Sequence, residues 1–365
     1  MKFINLELYQ SYLDELLDAN ELNLSISDML TSIIGIRDIT NKKEIESLTK
    51  NSGYSSKEIL MSKVAEYLDI DLSIEDNEEI FTNYISDITT CLNLDKYLNS
   101  PFYQAFNGLE IKENNYQLVI DKYAPYELFA YQDMSTFPDT YLEKNSLGFF
   151  KDEYPFLALN HKGVTWMSVT PNEIETMEAS IKQVKGNITV FGLGLGYFAY
   201  MASLKEDVNH ITIIENDNNI ISLFEKYLFP KFEHKEKIEI KCMDALDCIK
   251  SPLKSDFAFV DLWHDPFDGL PLFLEFKKAE IKSPNCKFLY WLEASFYLLL
   301  RRCMFSLISE QLEGYKDNQY QKSKNIFDVV INKYYFLTKS LTISSKADLD
   351  NLLSDKSLLD LLLRH

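Results

Sequence analysis

The chain has 365 residues, 46% of them hydrophobic, with a formal net charge of −19; it is too long for one small core and too acidic to be drawn to a phosphate backbone. The acid is concentrated early, because residues 1–150 hold 11 Lys and Arg against 26 Asp and Glu, and nucleic acid is therefore not favoured as a substrate. The longest apolar run, Phe288 to Leu300, is broken by Glu293 and falls short of the roughly 18–20 residues a membrane span needs, so no membrane partner is expected.

The start, "MKFINLELYQSYLDELLDA", lacks the basic lead and small-residue cleavage site of a signal peptide, and a cytoplasmic protein is expected. The four arginines stand beside many Lys, Asn and Ile, a balance that suits an AT-rich bacterial genome. Residues 1–105 read as a helical domain. "LELYQSYLDELLDA" and "SSKEILMSKVAEYLDI" repeat apolar residues at three and four, and "SIED" at 73–76 reads as a capped helix start. The acidic surface of these helices would serve solubility, a homo-oligomer contact or a protein partner.

Residues 106–170 read as a β-rich connector. "GLEIKENNYQLVIDKY" and "PFLALNHKGVTWMSV" alternate and are rich in aromatic and β-branched residues, with His161, Lys162 and Gly163 suited to a hairpin turn. In the stretch leading to the next helix, Trp166, Met167 and Met177 read as core and Glu173 as a helix N-terminal charge. Thr170 and Pro171 supply a cap and first turn.

From Ile188 the pattern is strand, helix, strand, helix: "ITVFGLGLG", "HITIIEND", "KIEIKCMDA", "SDFAFVDLW" and "CKFLYWLEA" are continuous apolar runs, as in a parallel sheet covered on both faces. Residues 171–320 are assigned to this doubly wound α/β domain and 321–365 to a mostly helical tail with a short strand at "LTISS". In such a sheet the ligand sits at the carboxyl ends of the strands. Gly192, Gly194 and Gly196 end the first strand, where they allow a tight turn or bring ligand atoms against the backbone. Glu215 ends the second, 23 residues after Gly192, and a carboxylate there can accept both ribose hydroxyls of an adenosine; otherwise it is a surface acid. Asp244 ends the third, where it can meet an adenine amino group beside the Ala245 N–H, cap the next helix, or do both. Asp261 ends the fourth, followed by Trp263, His264, Asp265, Phe267 and Asp268. These acids and the histidine suit orienting or deprotonating an amine, and equally an acidic Pro-Phe turn. The five cysteines form no CxxC and read as buried thiols; no metal site is expected.

On "FGLGLG", "IIEND", "MDAL" and "FVDLW", residues from about 165 to 300 resemble the class I S-adenosylmethionine-dependent methyltransferases, a Rossmann-like superfamily. The resemblance implies S-adenosylmethionine as cofactor. It implies Gly192, Gly194 and Gly196 on the methionine part, Glu215 on the ribose, and Asp244 with Ala245 on the adenine. Phe191, Asn216 and Asp261 are taken into the same cofactor site. Asp261, His264 and Asp265 are taken as catalytic for a small-molecule or peptide acceptor. Val190 stands where that family has an acid two residues before the first glycine. "DLWHDPFDGLPLF" is also similar to the strand-four segment of the polyamine aminopropyltransferases, which include spermidine synthase-like enzymes. There Asp261 would prepare the attacking amine, although Leu195 replaces that family's Asp. A dinucleotide-binding GxGxxG would need its last glycine at Tyr197. A non-catalytic sheet that recruits a protein partner is the remaining reading.

Overall fold

The structure, a computed structural model, describes residues 1–37, 39, 41–314 and 323–363. Of the expected sheet domain, residues 315–320 lie outside the described residues, and of the expected tail, 321, 322, 364 and 365 do. At its centre five strands run parallel: β1 (Gly186–Phe191), β2 (Val208–Glu215), β3 (Ile238–Cys242), β4 (Phe257–Val260) and β5 (Lys287–Tyr290). Their spatial order is 3-2-1-4-5, so the chain reverses direction across the sheet between β1 and β4. Phe191 pairs with Ile214 of β2 and with Val260 of β4, and Glu215 pairs with Cys242 of β3.

Every side chain from the middle of β1 and from β4 is buried, which is why both read as unbroken apolar runs. Alternation sorts them onto two faces. Phe259 stacks on Phe198 at 3.8 Å between centroids, while Phe191 meets Phe276 edge-on at 4.7 Å. Those partners define helices on opposite faces. Phe198 lies on a helix at Tyr197–Ser203 and Phe276 on one at Pro266–Lys282, and the sheet is doubly wound. A helix at Pro171–Gln183 leads into β1, and a long one at Glu293–Leu312 follows β5.

Ahead of the sheet lie helices at Gln10–Ile33, Lys42–Ser52, Ser56–Tyr67 and Glu75–Phe81. The last has Ile74, which has no side-chain acceptor, as its N-cap residue; Ser73, expected to cap it, stands one residue earlier with its hydroxyl donating to Asp71 at 2.7 Å. Thr170 likewise occupies a cap position without a capping bond. The segment from 106 to 170 holds a four-stranded antiparallel sheet ordered Val164–Ser168, Tyr154–His161, Tyr116–Tyr123, Ile111–Glu113, with the expected hairpin at Lys162 and Gly163, both at positive φ.

Buried side chains form two clusters that do not follow a boundary at residue 105. The larger joins the five-stranded sheet to Tyr9, Leu13, Leu16, Tyr97, Phe102 and Phe106. The smaller gathers Ile26, Leu30 and Ile33 with Leu60, Val64, Phe81, Leu147 and Phe149. The helix Gln10–Ile33 feeds both. Residues Lys2–Phe3 form a parallel pair with Thr342–Ile343; the second partner lies in "LTISS", and the pairing ties the first residues to the tail. Cys286 and Cys303 are buried, but Cys91 and Cys242 are exposed, contrary to the expectation of buried thiols. Among the described residues no helix is long and apolar enough to cross a membrane.

Candidate functional site

At the carboxyl ends of β1, β2, β3 and β4 a cavity of about 630 Å³ opens, spanning the point where strand order reverses, as expected for a ligand site in a doubly wound sheet. The three glycines after β1 divide their work. Gly192 has φ +93°, and a Cβ there would lie 1.9 Å from the Asp261 carbonyl oxygen. It is a glycine because β1 and β4 turn out of the sheet in contact. Gly196 has φ +78°, and a Cβ would strike the Phe224 ring at 2.5 Å. Gly194, at φ +53°, has nothing within 4 Å of a Cβ and lines the cavity. Two glycines thus serve the fold, and Gly194 alone leaves open space where a ligand can approach the backbone.

Glu215 is half-buried on the cavity wall. One carboxylate oxygen accepts the N–H groups of Asn216 and Asp217 at 2.8 and 2.9 Å, and the other accepts that of Leu193 at 3.2 Å. A carboxylate has about four acceptor positions, so Glu215 is fixed by the backbone and keeps about one for a hydroxyl, fewer than the two ribose contacts expected. Asp244 caps the short helix at Ala245–Cys248 through one oxygen, accepting from Leu246 and Asp247 at 2.8 and 3.3 Å. Its second oxygen takes no part in the cap, and Asp244 and Ala245 both line the cavity.

Asp261 and Glu173 define the chemistry. Both line the cavity and both are half-buried. Burial pushes Asp261 up to about 7, with the nearby His264 opposing the shift. Burial pushes Glu173 well above the usual carboxylate range as well, and the charge of Asp261 pushes it further. Among the described residues lining the cavity none is Lys or Arg, whereas Glu173, Glu215, Asp244 and Asp261 are all acids. Two facing carboxyls without an opposing cation repel one another once both ionise, and a bound cation relieves that repulsion.

The remaining expected residues are placed as follows. His264 is exposed on the cavity rim, its Nδ1 3.0 Å from Asp268. Asp265 does not line the cavity; it caps the helix Pro266–Lys282 in a reciprocal box with Asp268, accepting from Phe267 and Asp268 at 2.7 and 3.1 Å. Phe191 and Gly196 are not on the lining either, Phe191 being turned to the opposite face against Phe276. Gly192, Gly194, Glu215, Asn216, Asp244, Ala245 and Asp261 are brought together around one cavity.

Glu173, Trp166 and Met167, read from sequence as helix charge and core, all line it. The signal for Glu173 was topological. A helix that leads into a parallel strand starts beside the strands' carboxyl ends, so its first turn faces the site. Among the described residues no group of His, Cys, Asp and Glu is arranged to hold a metal.

No family model matches the chain, and no curated protein matches it. Among solved structures the chain is similar to the spermidine synthase of Thermotoga maritima, at 16% identity and TM-score 0.29 over 53% of this chain and 61% of that one. It is also similar to a spermidine synthase in complex with the transition state analogue AdoDATO, at 18% identity and TM-score 0.31 over 53% and 63%. The match spans about three-fifths of those chains' own length.

Proposed function

We propose that this chain is a transferase that takes a group from an adenosylated sulfonium donor and passes it to an amine, with aminopropyl transfer preferred over methyl transfer. The observation that carries the reading is the Glu173–Asp261 pair on a lining without Lys or Arg. S-adenosylmethionine brings a carboxylate into this acid-rich space. Its decarboxylated form brings only an ammonium and the sulfonium, which complement it. Donor binding fits the residues present: Glu215 has a free acceptor position for the ribose, Asp244 has an oxygen beside the next strand end, and Gly194 leaves the backbone approachable. The donor, when bound, supplies a carbon already joined to a good leaving group.

The protein's own contribution is positioning and proton handling. Asp261, poised near neutrality by burial, takes a proton from the ammonium of the acceptor and holds the resulting amine. The nitrogen lone pair then forms the new N–C bond as the C–S bond breaks, and that electron pair returns to sulfur as a neutral thioether. Glu173 keeps the second positive group of donor or acceptor in place. The methionine-type subsite lacks an acid at Val190, which lines the cavity as a buried apolar wall.

Calorimetric titration with S-adenosylmethionine, S-adenosylhomocysteine and decarboxylated S-adenosylmethionine tests the proposal. Tighter binding of the decarboxylated donor, weakened at least tenfold in Glu173→Gln, is expected. Equal or tighter binding of the two carboxylate-bearing ligands returns the assignment to methyl transfer. If none of the three binds, the sheet is a non-catalytic scaffold.

A further inference from the structure

The hairpin Tyr154–His161/Val164–Ser168 breaks its own alternation at one residue. Val164 pairs with His161 and Thr165 with Asn160, but the next rung joins Met167 to Leu159, leaving Trp166 as a bulge without a cross-strand partner. A bulge re-aims the side chain it carries and is common beside binding sites. Here the bulge sits within the run Thr165 to Val169, all of which line the cavity.

The Trp166 ring is braced from behind. Tyr116 and His161 stack at 4.5 Å with an 11° interplanar angle, and Trp166 lies 5.4 Å from His161 and 6.1 Å from Tyr116. This stack sits over the end of β2. The Tyr116 phenol is pushed up first by burial and then by the charge of Asp217, two residues past Glu215. The same antiparallel sheet is pinned to the helix after β2, where Glu113 accepts from Lys226 at 2.8 Å and from the Tyr227 hydroxyl. The aromatic face therefore lies on the Glu215 side of the cavity. On that side Met243 and Leu246 also line it, with 41% and 39% of their surface exposed, high for large apolar side chains. A flat aromatic face, two open apolar side chains and a carboxylate with a free acceptor position suit a purine nucleoside.

We infer that Trp166 is a binding residue, aimed by the bulge and braced by His161 and Tyr116, on which the purine of an adenosine ligand stacks. The inference rests on the adenosyl-donor reading above and adds to it the residue that recognises the base.

The chain has three tryptophans. All three line the cavity, but Trp263 and Trp291 are buried with their indole N–H groups bonded at 3.2 and 2.8 Å, whereas Trp166 is half-buried. Binding of 5′-methylthioadenosine to the full chain is followed by intrinsic fluorescence and by calorimetry in parallel, with 1,4-diaminobutane as a probe that has no base. Methylthioadenosine should quench the wild type with the calorimetric affinity, and diaminobutane should not. Trp166→Phe should lose most of the quench, the remainder coming from Trp263 and Trp291, while keeping most of the affinity. Trp166→Ala should bind roughly 5- to 150-fold more weakly, the range that base–aromatic stacking contributes, with an unchanged melting temperature as the folding control. Methylthioadenosine binding equally well to Trp166→Ala, or a quench undiminished in Trp166→Phe, overturns the inference and leaves the adenosyl reading standing. If methylthioadenosine fails to bind the wild type at millimolar concentration, both fall together.

Discussion

At the residue scale the site is defined by two carboxyls that the fold holds in an unfavourable state. Burial raises Asp261 to about 7 and Glu173 well above its usual range. In the unfolded chain both lose their protons near ordinary carboxylate values. Between those values and about pH 7 the native state binds more protons than the unfolded one, so this pair makes stability fall as pH rises through that window. Removing either charge should raise stability at pH 7.5. Asp261→Asn or Glu173→Gln is expected to melt about 2 °C or more above the wild type at that pH, with the difference vanishing at pH 4, as checked by calorimetric melting across pH. The sign reverses for ligand. A bound cation favours the charged pair, so amine binding should release protons near neutrality, which titration in buffers of different ionisation enthalpy reads directly.

The glycines give a second test at this scale. Gly192→Ala puts a Cβ against the Asp261 carbonyl at 1.9 Å and should prevent stable folding. Gly194→Ala meets no atom and should cost only about 1–2 kcal/mol of backbone strain while cutting ligand affinity. If Gly194→Ala binds normally, the ligand does not approach that turn. The spacing of Gly192, Gly194 and Glu215 was legible in the sequence because strand ends in a doubly wound sheet carry a fixed pattern. The split between fold and ligand among the glycines was not, because it depends on what stands opposite each one.

At the element scale, the cap read at Asp244 is present. The reciprocal boxes of Ser55 with Glu58 and of Asp265 with Asp268 were not read as helix starts, and Asp265, expected to be catalytic, is a cap instead. The reading failed at Ser73, which stands one residue before the N-cap Ile74 and bonds Asp71 instead, and at Thr170, which holds the cap position without a side-chain bond; no local pattern reports such a choice. The helix Glu293–Leu312 shows the extreme case. Its N-cap residue is Leu292 in the left-handed region, which offers no side-chain acceptor. The acceptor comes from 161 residues away in sequence. Asp133 takes the Ala294 N–H at 3.0 Å and the Ser295 hydroxyl, and burial raises its pKa although these bonds oppose the shift. Asp133→Ala leaves a buried helix terminus unsatisfied and should cost about 1–3 kcal/mol. Asp133→Asn keeps an acceptor, sheds the buried charge and should cost far less. Urea denaturation of the two variants distinguishes them, and equal losses would mean that the charge itself matters.

At the scale of the whole molecule, the helix Gln10–Ile33, which the periodicity placed in a helical domain of its own, contributes to both buried cores. It spans about 36 Å, burying Leu13 and Leu16 in the larger core and Ile26, Leu30 and Ile33 in the smaller. Between them Asn23 is buried, donating to the Tyr141 carbonyl at 2.9 Å and accepting the Glu143 N–H at 2.7 Å. The Glu143 carboxylate in turn pairs with Arg302 at 2.7 Å. Helical periodicity made the helix visible, but which of its turns belongs to which core depends on contacts more than a hundred residues away. The consequence is unequal stability. The smaller core lacks any strand of the central sheet and meets the rest through this helix and the connector. Leu60→Ala, at 0% exposure inside it, should lose about 2–5 kcal/mol from that core while leaving the cavity 's walls in place. Limited proteolysis of this variant should then cut between residues 34 and 88, and the remaining protein should still bind methylthioadenosine. Leu16→Ala, in the larger core, should weaken the sheet and the binding together. A single unfolding step in both variants, with binding lost in both, would show that Asn23 and Glu143 join the two cores into one cooperative unit.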